Sequence, residues 1–139
     1  MKMSKQEIKE DYKQREQDPL IKNRMRKMQR TIAFRKTMEA TKNATVIITN
    51  PTHISIALKY ELGMRAPIVL AKGQDFVALR MREIAKENDI PMVENKPIAR
   101  MIYKIVKVNH EIPEKLYKAV SEIIRYVFKI KGMPLGRSL

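Results

Sequence analysis

The first 43 positions are mostly polar, and their few apolar residues come at helical spacing. Residues 4–18 read as a solvated helix, opened by Ser4 and Glu7 at capping-box spacing. Asp18-Pro19 marks a fresh start, with Asp as N-cap and Pro at the first helical position. Behind it Ile21, Met25, Met28 and Ile32 recur at i, i+4, i+7 and i+11, one apolar stripe on a long basic helix that Asn43 ends. From Ala44 the period changes. Ala44–Thr49 is β-branched and almost continuously apolar, the pattern of a buried strand. His53–Tyr60 alternates, with Ile54, Ile56 and Leu58 on one side and His53, Ser55 and Lys59 on the other. Asn50-Pro51-Thr52 between them is a turn signal. Ile68–Ala71 makes a third strand, closed by Gly73. Residues 75–87 form a helix with Val77, Met81 and Ile84 on one face, and Ile90–Val93 a fourth strand. Pro97 opens a helix striped by Ile98, Met101, Ile102, Ile105 and Val106. Pro113 opens another, carrying Leu116, Val120, Ile123, Ile124 and Val127, which Gly132 and Pro134 stop.

The order β-β-β-α-β-α-α predicts an α/β fold. A small four-stranded sheet is flanked by helices and preceded by a long basic N-terminal linker helix. The expected division is a helical linker over 1–43, an α/β domain over 44–132 and a loose tail over 133–139.

Composition narrows the chemistry. With 139 residues, 44% hydrophobic and 32% charged, the chain suits a folded domain. Cysteine is absent, which excludes disulfides, thiolate catalysis and Cys-based zinc sites. His53 and His110 are the only histidines, too few for a His-rich metal site. No apolar run approaches the roughly 18 residues of a membrane span, and the polar first 19 residues do not read as a signal peptide. No Gly-rich phosphate cradle and no Ser/His/Asp order appear, so no cofactor is expected. Glu83 and Glu87 beside Arg82 and Lys86 read as a solvated helix face.

The net charge is +14, and it is densest early: residues 1–43 carry 13 Lys and Arg against six Asp and Glu. Such a surface suits nucleic acid or an anionic membrane face. A basic nucleic-acid-binding α/β module is one reading of such a chain. Against it, the phenylalanines are Phe34, Phe76 and Phe128 alone, Trp is absent, and no aromatics interleave with basic residues as stacking platforms do.

One segment has specific chemistry. An Asn followed by a backbone N–H deamidates when that nitrogen attacks the side-chain amide. Pro51 has no N–H, so that route is closed at Asn50-Pro51. The converse route is open: the Asn50 side-chain nitrogen attacks the Asn50 carbonyl carbon, forms a succinimide and expels Pro51 as a new N-terminus. A turn that fixes the attack geometry supplies much of the acceleration. His53 is placed to assist proton transfer, and Thr52 to hydrogen-bond within the turn. The same Asn-Pro pair is also a common turn signal, and His53 alone reads equally as a strand-edge histidine.

Asn50-Pro51-Thr52-His53, set between Val46–Thr49 and Ile54–Tyr60, resembles the signature of the export-switch proteins of flagellar and virulence type III secretion systems (the FlhB/YscU family). The likeness runs over roughly residues 5–130. It includes Asp18–Lys22, Ala66–Gly73, Ala78–Ala85, Glu94–Arg100 and Ile112-Pro113, and it is closest to the flagellar branch. The family pattern carries Leu where Ile98 stands, and Tyr-Ala-Val where Ile54-Ser55-Ile56 stands.

The resemblance implies four transmembrane helices ahead of this region, with residues 1–43 as the linker leaving the membrane at the cytoplasmic face of the bacterial inner membrane. It implies cleavage between Asn50 and Pro51, with Asn50 cyclising, Pro51 leaving and Thr52 and His53 supporting the turn. The implied role is a switch of export specificity from rod and hook subunits to filament subunits. The implied partners are export-gate components, the exported subunits and a hook-length ruler protein. An anionic membrane surface is a further candidate for residues 19–42.

Overall fold

A computed structural model describes residues 18–131. The readings at Ser4–Glu7, at Gly132 and Pro134, and over 133–139 fall outside them. The chain divides into two compact units, with the boundary between Arg35 and Lys36. Helix α1, Pro19–Thr41, begins as the sequence predicts: the Leu20 N–H donates to Asp18 Oδ1 at 2.9 Å and Pro19 takes the first position. In the first unit its apolar stripe is exposed at Met25, Met28 and Ile32. In the second unit its last turns bury Met38 and Thr41.

The second unit is built on a four-stranded sheet of order β3-β2-β1-β4. Its strands are β1 (Val46–Asn50), β2 (Ile54–Lys59), β3 (Ile68–Gln74) and β4 (Met92–Glu94). β1 pairs antiparallel with β2 and parallel with β4, and β2 pairs antiparallel with β3. Strand β1 is therefore internal, and all five of its residues are buried.

The helices are α2 (Phe76–Glu87), α3 (Lys96–Ile105) and, after a 3-10 turn over Glu114–Leu116, α4 (Tyr117–Ile130). One sheet face supplies Val46, Ile48, Ile56, Leu58 and Val69 to the main core, which α3 and α4 complete with Ala99, Ile102, Val120 and Ile124. The other face meets α2, where the Ser55 hydroxyl donates to the Ala78 carbonyl at 2.9 Å. The sheet is covered on both sides, and so Ser55 is buried although its strand alternates in sequence.

Three local readings change. Gly73 lies inside β3 and does not close it. A Cβ there would meet Val77 Cγ1 at 2.5 Å and Met81 Sδ at 2.8 Å, so glycine lets α2 sit close on the strand. The fourth strand is Met92–Glu94, two residues later than Ile90–Val93 at its start. On α3 the Asn95 side chain caps the helix by accepting from the Ile98 N–H at 3.2 Å, and Pro97 follows in the first turn. That helix buries Ala99 and Ile102, while Met101 and Ile105 of the expected stripe are exposed. Every apolar residue predicted inward on the last helix is buried.

Candidate functional site

The connection between β1 and β2 is three residues long, Pro51 to His53, with Asn50 and Ile54 as register partners across it. Asn50 is the last residue of β1 and only 3% exposed; Pro51, Thr52 and His53 project outward. The His53 N–H donates to the Asn50 carbonyl at 3.0 Å, which closes a four-residue turn. Pro51 stands at its second position and Thr52, with φ 69°, at its third. Proline second and positive φ third are the marks of a type II turn, a site that ordinarily selects Gly or Asn. A β-branched residue there is strained, at a cost on the order of 1–3 kcal/mol.

Neighbouring loops hold both sides of this turn. The Asp75 N–H donates to the His53 carbonyl at 2.9 Å, and the Asn95 N–H donates to the Thr49 carbonyl at 2.9 Å. The His53 imidazole turns toward the same Asp75, its Nδ1 lying 3.9 Å from Oδ1. Asp75 also carries positive φ, 53°, ahead of α2. The structure thus brings the four predicted site residues into one turn and adds Asp75 and Asn95. The sequence placed Asp75 only as the first residue of the helix over 75–87 and Asn95 only within the resembling stretch Glu94–Arg100. Both act at the turn through backbone amides, which no side-chain pattern reports.

A cleft of about 520 Å³ lies elsewhere, at the other end of the β1–β2 hairpin, between Thr45, Tyr60, Ile90 and Phe128. Among the described residues no cluster of three or more His, Asp or Glu could hold a metal ion. None of their helices is long and apolar enough to cross a membrane.

A small mixed sheet presenting a buried Asn joined to an exposed Pro at a hairpin turn is the class of domain that this fold and site define. Residues 1–127 match the FlhB HrpN YscU SpaS family, and the chain belongs to it. It is 51% identical over 132 residues to the flagellar biosynthetic protein FlhB of Bacillus subtilis (strain 168), covering 94% of this chain and 37% of that protein. The Escherichia coli (strain K12) protein of the same name is 46% identical over 137 residues, 98% of this chain and 36% of that one. The chain therefore spans little more than a third of these relatives. Among solved structures, the cytoplasmic domain of FlhB from Shewanella putrefaciens superposes with a TM-score of 0.66 at 40% identity, over 73% of this chain and 84% of that one. A variant of the EscU C-terminal domain gives 0.63 at 37% identity, over 66% and 98%.

Proposed function

We propose that this chain is the cytoplasmic part of a type III secretion export protein, and that it cuts its own backbone between Asn50 and Pro51 to switch export from rod and hook to filament subunits. The observation that carries the reading is the Asn50 end of β1: a buried asparagine whose own carbonyl is held by the His53 N–H in a strained turn.

The reaction uses atoms already in the turn. Asn50 Nδ2 attacks the Asn50 carbonyl carbon, and charge develops on the carbonyl oxygen. The His53 N–H, already 3.0 Å from that oxygen, stabilises it. The bond from that carbon to the Pro51 nitrogen then breaks. One proton leaves Nδ2 and one joins the Pro51 nitrogen, so the proton count closes, with the His53 imidazole as shuttle. Asn50 ends as a succinimide and Pro51 as a free secondary amine. The absent Pro51 N–H suppresses the competing deamidation, and release of the Thr52 backbone favours opening.

The pieces remain together. β1 keeps its ladders to β2 and β4, and Val46, Ile47 and Ile48 are completely buried. Each such side chain contributes on the order of 2 kcal/mol. What opens is the outward-facing turn, which changes the surface offered to export-gate components, exported subunits and a length-sensing ruler protein. Upstream, residues 19–42 lead from the membrane. Their exposed Met25, Met28 and Ile32 beside Lys22, Arg24, Arg26, Lys27 and Arg30 suit an anionic lipid surface. Equal sedimentation with anionic and neutral vesicles would remove the lipid part.

The deciding experiment is the intact mass of the purified chain under denaturing conditions. Pieces corresponding to residues 1–50 and 51–139 are expected without added reagent. A single chain after long incubation rejects self-cleavage.

A further inference from the structure

His53 meets one residue twice, once through the backbone and once through the side chain. Asp75 donates its backbone N–H to the His53 carbonyl at 2.9 Å, and its carboxylate Oδ1 faces His53 Nδ1 at 3.9 Å. The two contacts do different things. The first fixes the exit of the turn, so that the chain leaves His53 in one direction. The second chooses between the two nitrogens of the ring. A carboxylate facing Nδ1 favours the proton on Nδ1, and that leaves the Nε2 lone pair free. Asp75 holds its place at φ 53° and ψ −115°, outside the left-handed helical region that Asp tolerates, so its backbone is strained like that of Thr52. Its side chain makes no capping hydrogen bond to α2, the usual task of an Asp ahead of a helix, so it is available to His53.

We infer that Asp75 is a positioning residue for the proposed cleavage: it orients the His53 imidazole and sets its tautomer, with Nδ1–H toward the carboxylate and the Nε2 lone pair left free for proton transfer. The inference rests on the self-cleavage reading. In the step it serves, Nε2 takes the proton that Asn50 Nδ2 loses and returns one to the Pro51 nitrogen. The ring ends as it began, and Asp75 exchanges no proton. The other element that reaches the turn, the β4–α3 junction, carries Glu94 and Lys96 on either side of Asn95. Among the described residues, Asp75 supplies the carboxylate that lies within ion-pair distance of His53.

The test separates the carboxylate from the amide. Asp75→Asn keeps the backbone N–H and the shape of the side chain, and Asp75→Gly keeps the N–H and adopts this φ and ψ without a side chain. Cleavage of freshly synthesised full chain is followed by mass, in the wild-type and His53→Ala backgrounds. Ring 15N shifts of His53 are recorded in the Asn50→Ala background, where the chain stays whole. Both Asp75 variants are expected to slow cleavage by about tenfold, to be silent once His53 is Ala, and to shift the 15N signals away from the Nδ1–H form. Wild-type rates in both variants overturn the inference. So does equal slowing with and without His53, which would mean that Asp75 acts through the fold alone. Unchanged 15N shifts overturn the tautomer assignment. A wild-type chain that never cleaves rejects the parent reading instead, and the 15N shifts then judge the Asp75–His53 pairing separately.

Discussion

The sheet contains two turns of the same plan, made from opposite materials. In Glu61–Met64, after β2, the Met64 N–H closes on the Glu61 carbonyl at 3.1 Å, and the third position is Gly63 at φ 92°. In Asn50–His53 the closing bond is 3.0 Å and the third position is Thr52 at φ 69°. Glycine enters that region at no steric cost, whereas threonine does so under strain. One turn only joins strands and is relaxed. The other is strained beside a buried asparagine, and the strain is stored next to the bond proposed to break. The difference teaches that the Asn50–His53 turn is not built for turn stability alone.

Four substitutions break or sharpen this contrast. Asn50→Ala removes the attacking nitrogen and is expected to abolish cleavage, read as one undivided mass; cleavage at the normal rate would eliminate Asn50 cyclisation. Pro51→Ala restores an N–H and is expected to slow cleavage by about tenfold while diverting Asn50 to deamidation, visible by peptide mapping. Gly63→Thr makes the relaxed turn resemble the strained one. Nothing lies within 4 Å of a Cβ there, so the cost is backbone strain alone, about 1–3 kcal/mol in denaturant unfolding. Thr52→Gly does the reverse. It is expected to stabilise the uncleavable Asn50→Ala chain by about 1 kcal/mol and, with Asn50 present, to slow cleavage a few-fold.

Much of this was legible in the sequence, for reasons that vary along the chain. The last helix announced its buried face because its surroundings cover one side only, so Leu116, Val120, Ile123, Ile124 and Val127 keep helical spacing. On α3 the same rule overreached: Met101 and Ile105 continue the stripe in sequence but face outward. Gly73 reads as punctuation until the helix that crosses it is seen, because a close approach leaves no trace in local pattern. The turn residues Asn50 to His53 were legible because they are adjacent. Asp75 and Asn95 were not, since 22 and 42 residues separate them from His53 and only the sheet and its connections bring them back.

The placement of β1 has one more consequence. A break after Asn50 would turn a single folded chain into a two-piece complex whose smaller piece is held by an internal strand. Until then the molarity of the protein does not enter its stability. Afterwards folding is bimolecular, so the midpoint of unfolding depends on dilution and any chain that captures the released strand pulls the equilibrium by mass action. The proposed cut thereby makes the domain separable while leaving it assembled, and a covalent event is recorded as a change in reaction order.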